Sequence, residues 1–206
     1  MFAVIFEVCL IDTQWETYLG EAGILRPELE QIDGFISNVR YRSLSQASWL
    51  LSFSIWRDEK ALIRWRTHAL HHRVQAKARS SIFHDYHLRV GKVVADSLAG
   101  GVVRASRYEA TEIGAGKVVS FIEAPSVANN PVAGFVPVTQ DAFEAILTPG
   151  AGVWLVTSRD EGSLPPMSAA PGTRRRDILV IRDYGMSDRR EAPQYFPETA
   201  LVASNG

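Results

Sequence analysis

The chain has 206 residues, of which 46% are hydrophobic and 22% are charged, the proportions of an ordinary globular protein. Its 22 basic and 23 acidic side chains give a net charge of -1, whereas proteins that bind nucleic acids generally are basic. The one cysteine, Cys9, excludes an internal disulfide and a cysteine-based zinc site.

The sequence also argues against a membrane protein. No apolar run approaches the roughly 20 residues that a bilayer-spanning helix needs. The apolar start of the chain lacks the basic region and the cleavage site of a signal peptide, and its composition predicts a strand. We therefore expect a cytoplasmic protein that binds neither membranes nor nucleic acids.

The first half of the chain alternates between strand and helix patterns. Residues 2–11 are rich in Phe, Val and Ile with almost no polar break, as in a strand buried on both faces. The first helical pattern contains Pro27, which predicts a kink or a break just before it. The predicted strands are 2–11, 35–44, 49–56 and 86–96, and the predicted helices are 12–33 and 57–79.

This order, β-α-β-β-α-β, is that of a ferredoxin-like α+β fold, in which four antiparallel strands carry both helices on one face. The opposite face of the sheet then needs a cover. A second copy of the chain covers it in a homodimer, and the second half of the same chain covers it in a pseudo-dimer. We expect the homodimer and keep the pseudo-dimer as the alternative.

The sequence pattern of the second half predicts a smaller α+β domain, and Gly100–Gly101 separates it from the first domain. Its order of elements echoes the later part of the first half, so we expect either a degenerate ferredoxin-like repeat or an unrelated appendage. The basic triplet 174–176 is expected in a solvated loop, and the alternative is that it binds a carboxylate or a phosphate. The expected domains are 1–98 and 102–195, followed by a tail over 196–206. The predicted strands here are 102–113, 117–123, 153–158 and 178–184, and the predicted helix is 140–147.

Three segments of the first half share one family's pattern: FAVIFEV, LRPELEQIDGFISNVRYRSL and LLSFSIWRDEKALIRWRTHALHHRVQAKARSSIFHDYHLRV. The most specific parts are the IDGF element and the helix with the pattern WRDE–W–HxxH. Over residues 2–96 the chain resembles the antibiotic biosynthesis monooxygenase family. The resemblance implies a dimeric α+β barrel with a ligand cavity between the sheet and the helices.

The resemblance implies several chemistries. Some members oxygenate electron-rich aromatic molecules with O2 and without metal or flavin, and others degrade heme. The heme-degrading members use a Trp on the second helix, which Trp65 matches. They also use an iron-ligating His ten residues later, where this chain has Gln75, and an Asn near the position of Glu7. Two of the three residues differ, so heme degradation is not expected.

The second predicted helix contains the candidate site. On an ideal helix, four polar side chains at steps of four, three and four form a strip beside Trp65. Three apolar side chains, Ile63, Leu70 and Val74, form a separate strip on the far side. An imidazole takes or gives a proton near neutral pH, and an indole provides a flat apolar wall for an aromatic substrate. The candidates are His68 and His71 as the catalytic base, and Trp65, Arg64, His72 and Gln75 as substrate-binding residues.

Two other interpretations of these histidines stay open. Residues 57–79 carry seven basic and two acidic side chains, so the histidines are also compatible with a solvated, basic helix face. The spacing of His68 to His71 or His72 allows two ligands to one metal ion. A third ligand at close spacing is missing, and HExxH is absent, so we predict no metal site.

Together these features predict a cofactor-independent monooxygenase that oxidises an electron-rich aromatic or quinol-like molecule with O2. The expected partners are that small aromatic substrate and O2. Two alternatives use the same scaffold. One is a non-oxidative isomerase or lyase, and the other is a small-ligand-binding or stress-response protein without turnover.

Overall fold

Strands and helices alternate in the first half of the structure, and strands without an α-helix follow in the described residues of the second half. The computed structural model describes residues 1–99, 101–102, 108–128, 130–166 and 171–193. The strands are β1 Phe2–Leu10, β2 Phe35–Ser43, β3 Trp49–Trp56, β4 Phe83–Asp96, β5 Gly101–Val102, β6 Val118–Ala124, β7 Thr139–Ala145, β8 Gly152–Ser158 and β9 Arg174–Gly185. The α-helices are α1 Trp15–Glu30, α2 Glu59–Arg66 and α3 Ala69–Ser81. Within these ranges, no helix is both long enough and apolar enough to cross a membrane.

Eight of the strands close into a ring in which all neighbours are antiparallel. The order is β1-β3-β2-β7-β8-β6-β9-β4, and β4 pairs with β1 to complete the ring. The two halves of the chain meet along two seams. One is the short pairing of β2 with β7 over residues 41–43, and the other is the long pairing of β4 with β9 over residues 87–96.

Each half of the ring has the same internal order. The first four strands lie in the order β2-β3-β1-β4, which confirms the predicted ferredoxin-like α+β fold of the first half. The strands of the second half lie in the order β7-β8-β6-β9, the same pattern, without an α-helix between them in the described residues. The repeat itself and the expected domain limits stay predictions, and the tail over 196–206 lies outside the described residues.

Apolar side chains from all eight strands fill the inside of the ring. Near its middle, the rings of Phe53 on β3 and Phe121 on β6 stack with centroids 3.7 Å apart and planes 12° apart. Burial of one such side chain stabilises a fold by roughly 1.5–3 kcal/mol, and here each half contributes one. The cluster comprises Ala3, Ile5, Tyr41, Leu51, Phe53, Ile55, Val93, Val119, Phe121, Phe143, Ala145, Val153, Leu155, Ile178 and Val180.

The helices pack on the outer face of the first half's sheet. Val8 of β1 packs in one cluster with Tyr18 of α1 and Ala78 of α3. The neighbouring odd-numbered residues of β1, such as Ile5, lie inside the ring. Strand β1 is therefore buried on both faces, as its continuous apolar run predicts.

Helix α1 does not break before Pro27 but continues to Glu30, so of the two predicted outcomes the break is wrong and the kink stays a prediction. A proline inside a helix removes one hydrogen bond to the residue four positions earlier. Here Pro27 stands in the last turn, and Ala22 and Leu29 are buried on either side of it. This packing holds the helix together across the missing bond.

The second half departs from its predicted elements at residues 140–147 and 102–113. The predicted helix over 140–147 is strand β7, because Phe143 and Ala145 alternate inward into the ring and Leu147 is exposed. The described residues 108–113 form no strand, and residues 103–107 lie outside the description.

The basic triplet also differs from its prediction, since it lies on β9 and not in a solvated loop. All three guanidinium groups form ion pairs close to one end of the ring. The pairs are Arg174 with Asp96 at 2.6 Å, Arg175 with Asp177 at 2.7 Å, and Arg176 with Glu123 at 2.7 Å. Cations paired in this way stabilise the end of the ring and are not available to grip a ligand.

The closed ring leads to a prediction about assembly. A homodimer was expected because one sheet face lacked a cover, and in this structure the strands of the second half cover that face. Light scattering at micromolar concentration should therefore give the mass of one chain, 22.8 kDa. Twice that mass would show that a second copy covers another surface, as in the homodimer first expected.

A second prediction concerns the long seam. A methyl group at Gly91 would meet the Ile178 side chain and lie 2.6 Å from the carbonyl oxygen of Leu179. Gly91→Ala should lower the free energy of unfolding by about 1–3 kcal/mol, the cost of overpacking a core. The control is Gly23→Ala in α1, where a methyl meets nothing within 4 Å and should stabilise by about 1 kcal/mol. Equal effects of the two substitutions in urea unfolding would contradict this account of the seam.

Candidate active site

A cavity of about 280 Å³ lies between the helices and the outer face of the sheet. One side is formed by outward side chains of β1 to β4 and β9, and the other by α1, α2 and α3. The wall is mainly apolar, with a few polar side chains, as is usual for small-molecule sites. Its apolar part includes Val4, Phe6, Leu29, Leu62, Leu88 and Val90.

The helix predicted over 57–79 is interrupted next to this cavity. Asp58 caps the start of α2 by accepting a hydrogen bond from the Ala61 N–H at 2.8 Å. Thr67 then ends α2, and its hydroxyl donates to the Ile63 carbonyl at 2.9 Å, a contact that bends helices. His68 has an extended backbone, and α3 begins after it.

The interruption changes which side chains share a face. On the ideal helix, Ile63 and Val74 belonged to an apolar strip on the far side from Trp65. In the structure both line the cavity together with His71 and Gln75. The predicted apolar strip on the far side is therefore wrong, because that prediction assumed one unbroken helix.

His71 is fixed by two contacts to Trp65. Its ring stacks on the indole with centroids 4.4 Å apart and planes 23° apart. Its Nδ1 lies 3.1 Å from the carbonyl oxygen of Trp65. In an unbroken helix that carbonyl would accept from the N–H of Ala69. Here it accepts from the N–H of His68 at 3.1 Å, and the His71 side chain shares it.

These contacts define the protonation of His71. A carbonyl oxygen only accepts a hydrogen bond, so Nδ1 carries the proton and Nε2 keeps its lone pair. Burial lowers the pKa of His71 to about 4, and the nearby His68 and His72 act in the same direction, against the hydrogen bond to Trp65. At pH 7 the cavity wall thus contains a neutral imidazole whose Nε2 carries a lone pair.

The structure brings only some of the predicted residues to the cavity. Trp65, His71 and Gln75 line it, whereas Arg64, His68 and His72 are not among the lining residues. His68 Nε2 lies 3.5 Å from a carboxylate oxygen of Glu28. Arg64 donates to the Asp33 carbonyl at 2.6 Å, on the outer side of α2.

The sheet side of the cavity contains polar residues that the sequence did not point to. Asn38 of β2 donates to the hydroxyl of Ser52 at 2.9 Å and to the carbonyl of Phe53 at 3.2 Å. The Trp56 indole N–H donates to the hydroxyl of Ser54 at 2.9 Å. The sequence does contain a signal for the two serines. In WLLSFSIW, Ser52 and Ser54 are two positions apart, which places both on one face of β3.

A separate group of charges lies inside one end of the ring. The buried Arg89 donates to Glu7 at 2.5 Å and to the hydroxyl of Thr157 at 2.9 Å. His87 Nε2 lies 2.6 Å from Asp183 Oδ1. None of these side chains lines the cavity. In the described part of the chain, no group of three or more His, Cys, Asp or Glu side chains is placed to hold a metal ion.

Comparison with known proteins places the chain in a family. The family described as antibiotic biosynthesis monooxygenase matches residues 1–77. A curated relative is the jasmonate monooxygenase ABM of Pyricularia oryzae. It is 43% identical over an alignment of 215 residues including gaps, which covers 96% of this chain and 99% of the relative. The chain belongs to the antibiotic biosynthesis monooxygenase family. This membership supports a monooxygenase-type function and confirms the resemblance found in the sequence.

One of the similar solved structures supports the fold of the whole chain. An aldoxime dehydratase matches 87% of this chain and 80% of its own, with a TM-score of 0.52 and 8% identity. The match extends over both halves and shows a shared fold only. A putative monooxygenase from Fusobacterium nucleatum matches 88% of this chain and 93% of its own, with a TM-score of 0.44 and 8% identity.

The protonation of His71 predicts how stability depends on pH. As the pH falls from 6.5 towards 4, the unfolded chain binds a proton at His71 that the folded chain does not. The free energy of unfolding should therefore fall over that range, by on the order of 2–3 kcal/mol from this group. Asn is a suitable replacement, because its amide still donates to the Trp65 carbonyl but does not titrate.

The measurement is urea unfolding of the parent and of His71→Asn at several pH values between about 4 and 7.5. The parent should lose more stability than the variant as the pH falls. Parallel curves would mean that the folded and unfolded states bind the His71 proton equally, and would contradict a buried, neutral ring.

Proposed function

We propose that the protein is a monooxygenase that oxidises a small, largely apolar molecule with O2 inside this cavity, and that His71 is the base. The observation that supports this most directly is the neutral His71 ring, held by Trp65 in a mainly apolar wall. Trp65 provides the flat surface for a ring-shaped substrate, and Gln75 provides an orienting hydrogen bond. Both were predicted to bind substrate, and both line the cavity.

A phenol with an unsubstituted carbon opposite its hydroxyl illustrates the reaction. Nε2 of His71 takes the phenolic proton, and the phenolate beside the ring stabilises the imidazolium, which raises the pKa of His71 in the complex. The phenolate gives one electron to O2, and the two radicals combine at the ring carbon. The peroxide anion formed in this way takes the proton back from the His71 imidazolium, and the resulting hydroperoxide loses water and leaves a quinone. One oxygen atom ends in the quinone and the other in water, and the substrate supplies all the electrons.

This reaction needs few groups from the protein, and we therefore propose that it is independent of a cofactor. A base, a shaped apolar wall and the exclusion of water are sufficient, because charge transfer to O2 occurs within the closed site. The cavity provides a base at His71 and an apolar wall, and it lies under three helices.

The name of the curated relative favours jasmonate as a second substrate candidate. Jasmonate is a small carboxylic acid without an aromatic ring. Hydroxylation of an unactivated carbon–hydrogen bond by O2 needs two electrons from an outside donor. The jasmonate assay is therefore run with and without a reduced nicotinamide or a reduced flavin as that donor.

We also propose that residues 102–195 are a repeat of the first domain that takes the place of a partner subunit in the ring. The shared strand order of the two halves supports this proposal. A cytoplasmic location remains a prediction as well.

The test of the function is oxygen uptake with hydroquinones, with phenols of the type described, and with jasmonate. His71→Asn should lower kcat by about 10²–10⁴-fold, the usual loss with a general base, while substrate binding is retained. His84→Asn is the matched control, because His84 is exposed on β4 and does not line the cavity. Its kcat should equal that of the parent.

Other outcomes of these assays would assign a different function to the protein. Conversion of a substrate without oxygen uptake would identify an isomerase or lyase. Binding without any product would favour a protein that only binds its ligand. Equal turnover by His71→Asn and the parent would remove His71 as the base.

A further inference from the structure

Arg40 lies in the wall of the cavity with a donor that has no acceptor. It projects from the outer face of β2, where its backbone is paired with Ser52 of β3. Its Nε is buried and makes no hydrogen bond. Buried polar atoms are nearly always hydrogen-bonded, so an unpaired one next to a cavity points to a missing acceptor.

No carboxylate of the described residues pairs with Arg40. The two acidic side chains in the cavity wall have other partners. Glu21 accepts from Lys77 at 2.5 Å, and Glu59 accepts from the hydroxyl of Tyr108 at 3.3 Å. The positive charge of Arg40 is therefore not balanced by a neighbouring acid in the ligand-free structure.

Tyr18 of α1 adds a second donor at this end of the cavity. Burial raises the pKa of its phenol, and the nearby Arg40 guanidinium offsets only part of that effect. The phenol thus keeps its proton at pH 7. The Arg40 side chain hydrogen-bonds the Tyr18 hydroxyl, so the two lie side by side in the cavity wall. A ligand group that only accepts hydrogen bonds and carries a negative charge can accept from both.

We propose that Arg40 binds the carboxylate of the substrate, so that the cavity selects small carboxylic acids with an apolar body over uncharged molecules of the same shape. This inference rests on the proposed function, because it assumes that the cavity is the substrate site. A guanidinium matches the planar, two-oxygen geometry of a carboxylate, and such charge-assisted bonds are the strong ones. The rest of the wall is mainly apolar and suits the body of the acid.

Two other arginines, Arg66 and Arg182, also line the cavity. Arg182 is exposed to solvent, where water satisfies its donors. Neither side chain has a buried nitrogen without a hydrogen bond, whereas Arg40 does. The unpaired donor is the feature that selects Arg40 among the three.

The experiment compares binding of acids with binding of their methyl esters by calorimetry at pH 7. The probes are jasmonate, cinnamate, phenylacetate and octanoate, each with its methyl ester. The parent should bind at least one acid about 10–100-fold more tightly than the ester, as expected for a hydrogen bond to a charged group. Arg40→Gln should lose that preference and leave ester binding unchanged. Arg40→Lys keeps the charge without the planar fork and should retain part of the preference.

Arg42→Gln is the matched control. Arg42 stands two residues further along β2, on the same face, and its guanidinium lies over the Trp15 ring outside the cavity. Its acid preference should equal that of the parent. Thermal unfolding of Arg40→Gln without ligand should stay close to that of the parent, because the Nε has no hydrogen bond to lose and the glutamine amide can still donate to the Tyr18 hydroxyl.

Three results would overturn the proposal. The parent binds no acid more tightly than its ester, or Arg40→Gln keeps the full preference, or Arg66→Gln or Arg182→Gln removes it instead. Oxygen uptake is measured separately. If the parent consumes oxygen but shows no preference for acids, only the proposed carboxylate site is refuted. If the parent shows the preference but consumes no oxygen, only the proposed oxygenase function is refuted.

Discussion

The pairing of β4 with β9 over residues 87–96 is the contact on which the rest of the structure depends. It joins the two halves along their long seam, and with the shorter β2–β7 seam it turns an open sheet into a ring. An open sheet exposes unpaired backbone groups at its edges, and closure removes those edges. It also brings β9 beneath the helices, so that Tyr184 and Arg182 of the second half line the cavity of the first.

The two halves share a strand order but not their helices, and this asymmetry locates the site. The helices α1, α2 and α3 cover the outer face of the first half and enclose the cavity. On the second half, side chains from the connecting segments pack on the strands instead, as Val132 and Phe135 do against Ile122 and Val156. In the described residues, the ring therefore has one helix-covered face, and the cavity belongs to it.

The chemistry of the cavity follows from the interruption between α2 and α3. An unbroken helix would use the Trp65 carbonyl within its own hydrogen-bond ladder. At the interruption that carbonyl instead accepts from the N–H of His68 and from His71 Nδ1, which fixes the tautomer and leaves Nε2 as an acceptor. A hydrogen bond from Nδ1 to a carbonyl is a common way to set which nitrogen of a histidine reacts. The same short segment directs His68 away, towards Glu28.

By itself, the sequence determined the fold of the first half and the neighbourhood of the site, because hydrophobic periodicity and local capping are properties of nearby residues. Asp58 caps α2, β1 is buried on both faces, and Trp65, His71 and Gln75 line the cavity. Only the tertiary structure decided how the ring closes, why residues 140–147 form a strand, and which histidine lines the cavity. It also revealed the unpaired Nε of Arg40. These features depend on contacts between residues far apart in the chain, and local periodicity contains no information about such partners.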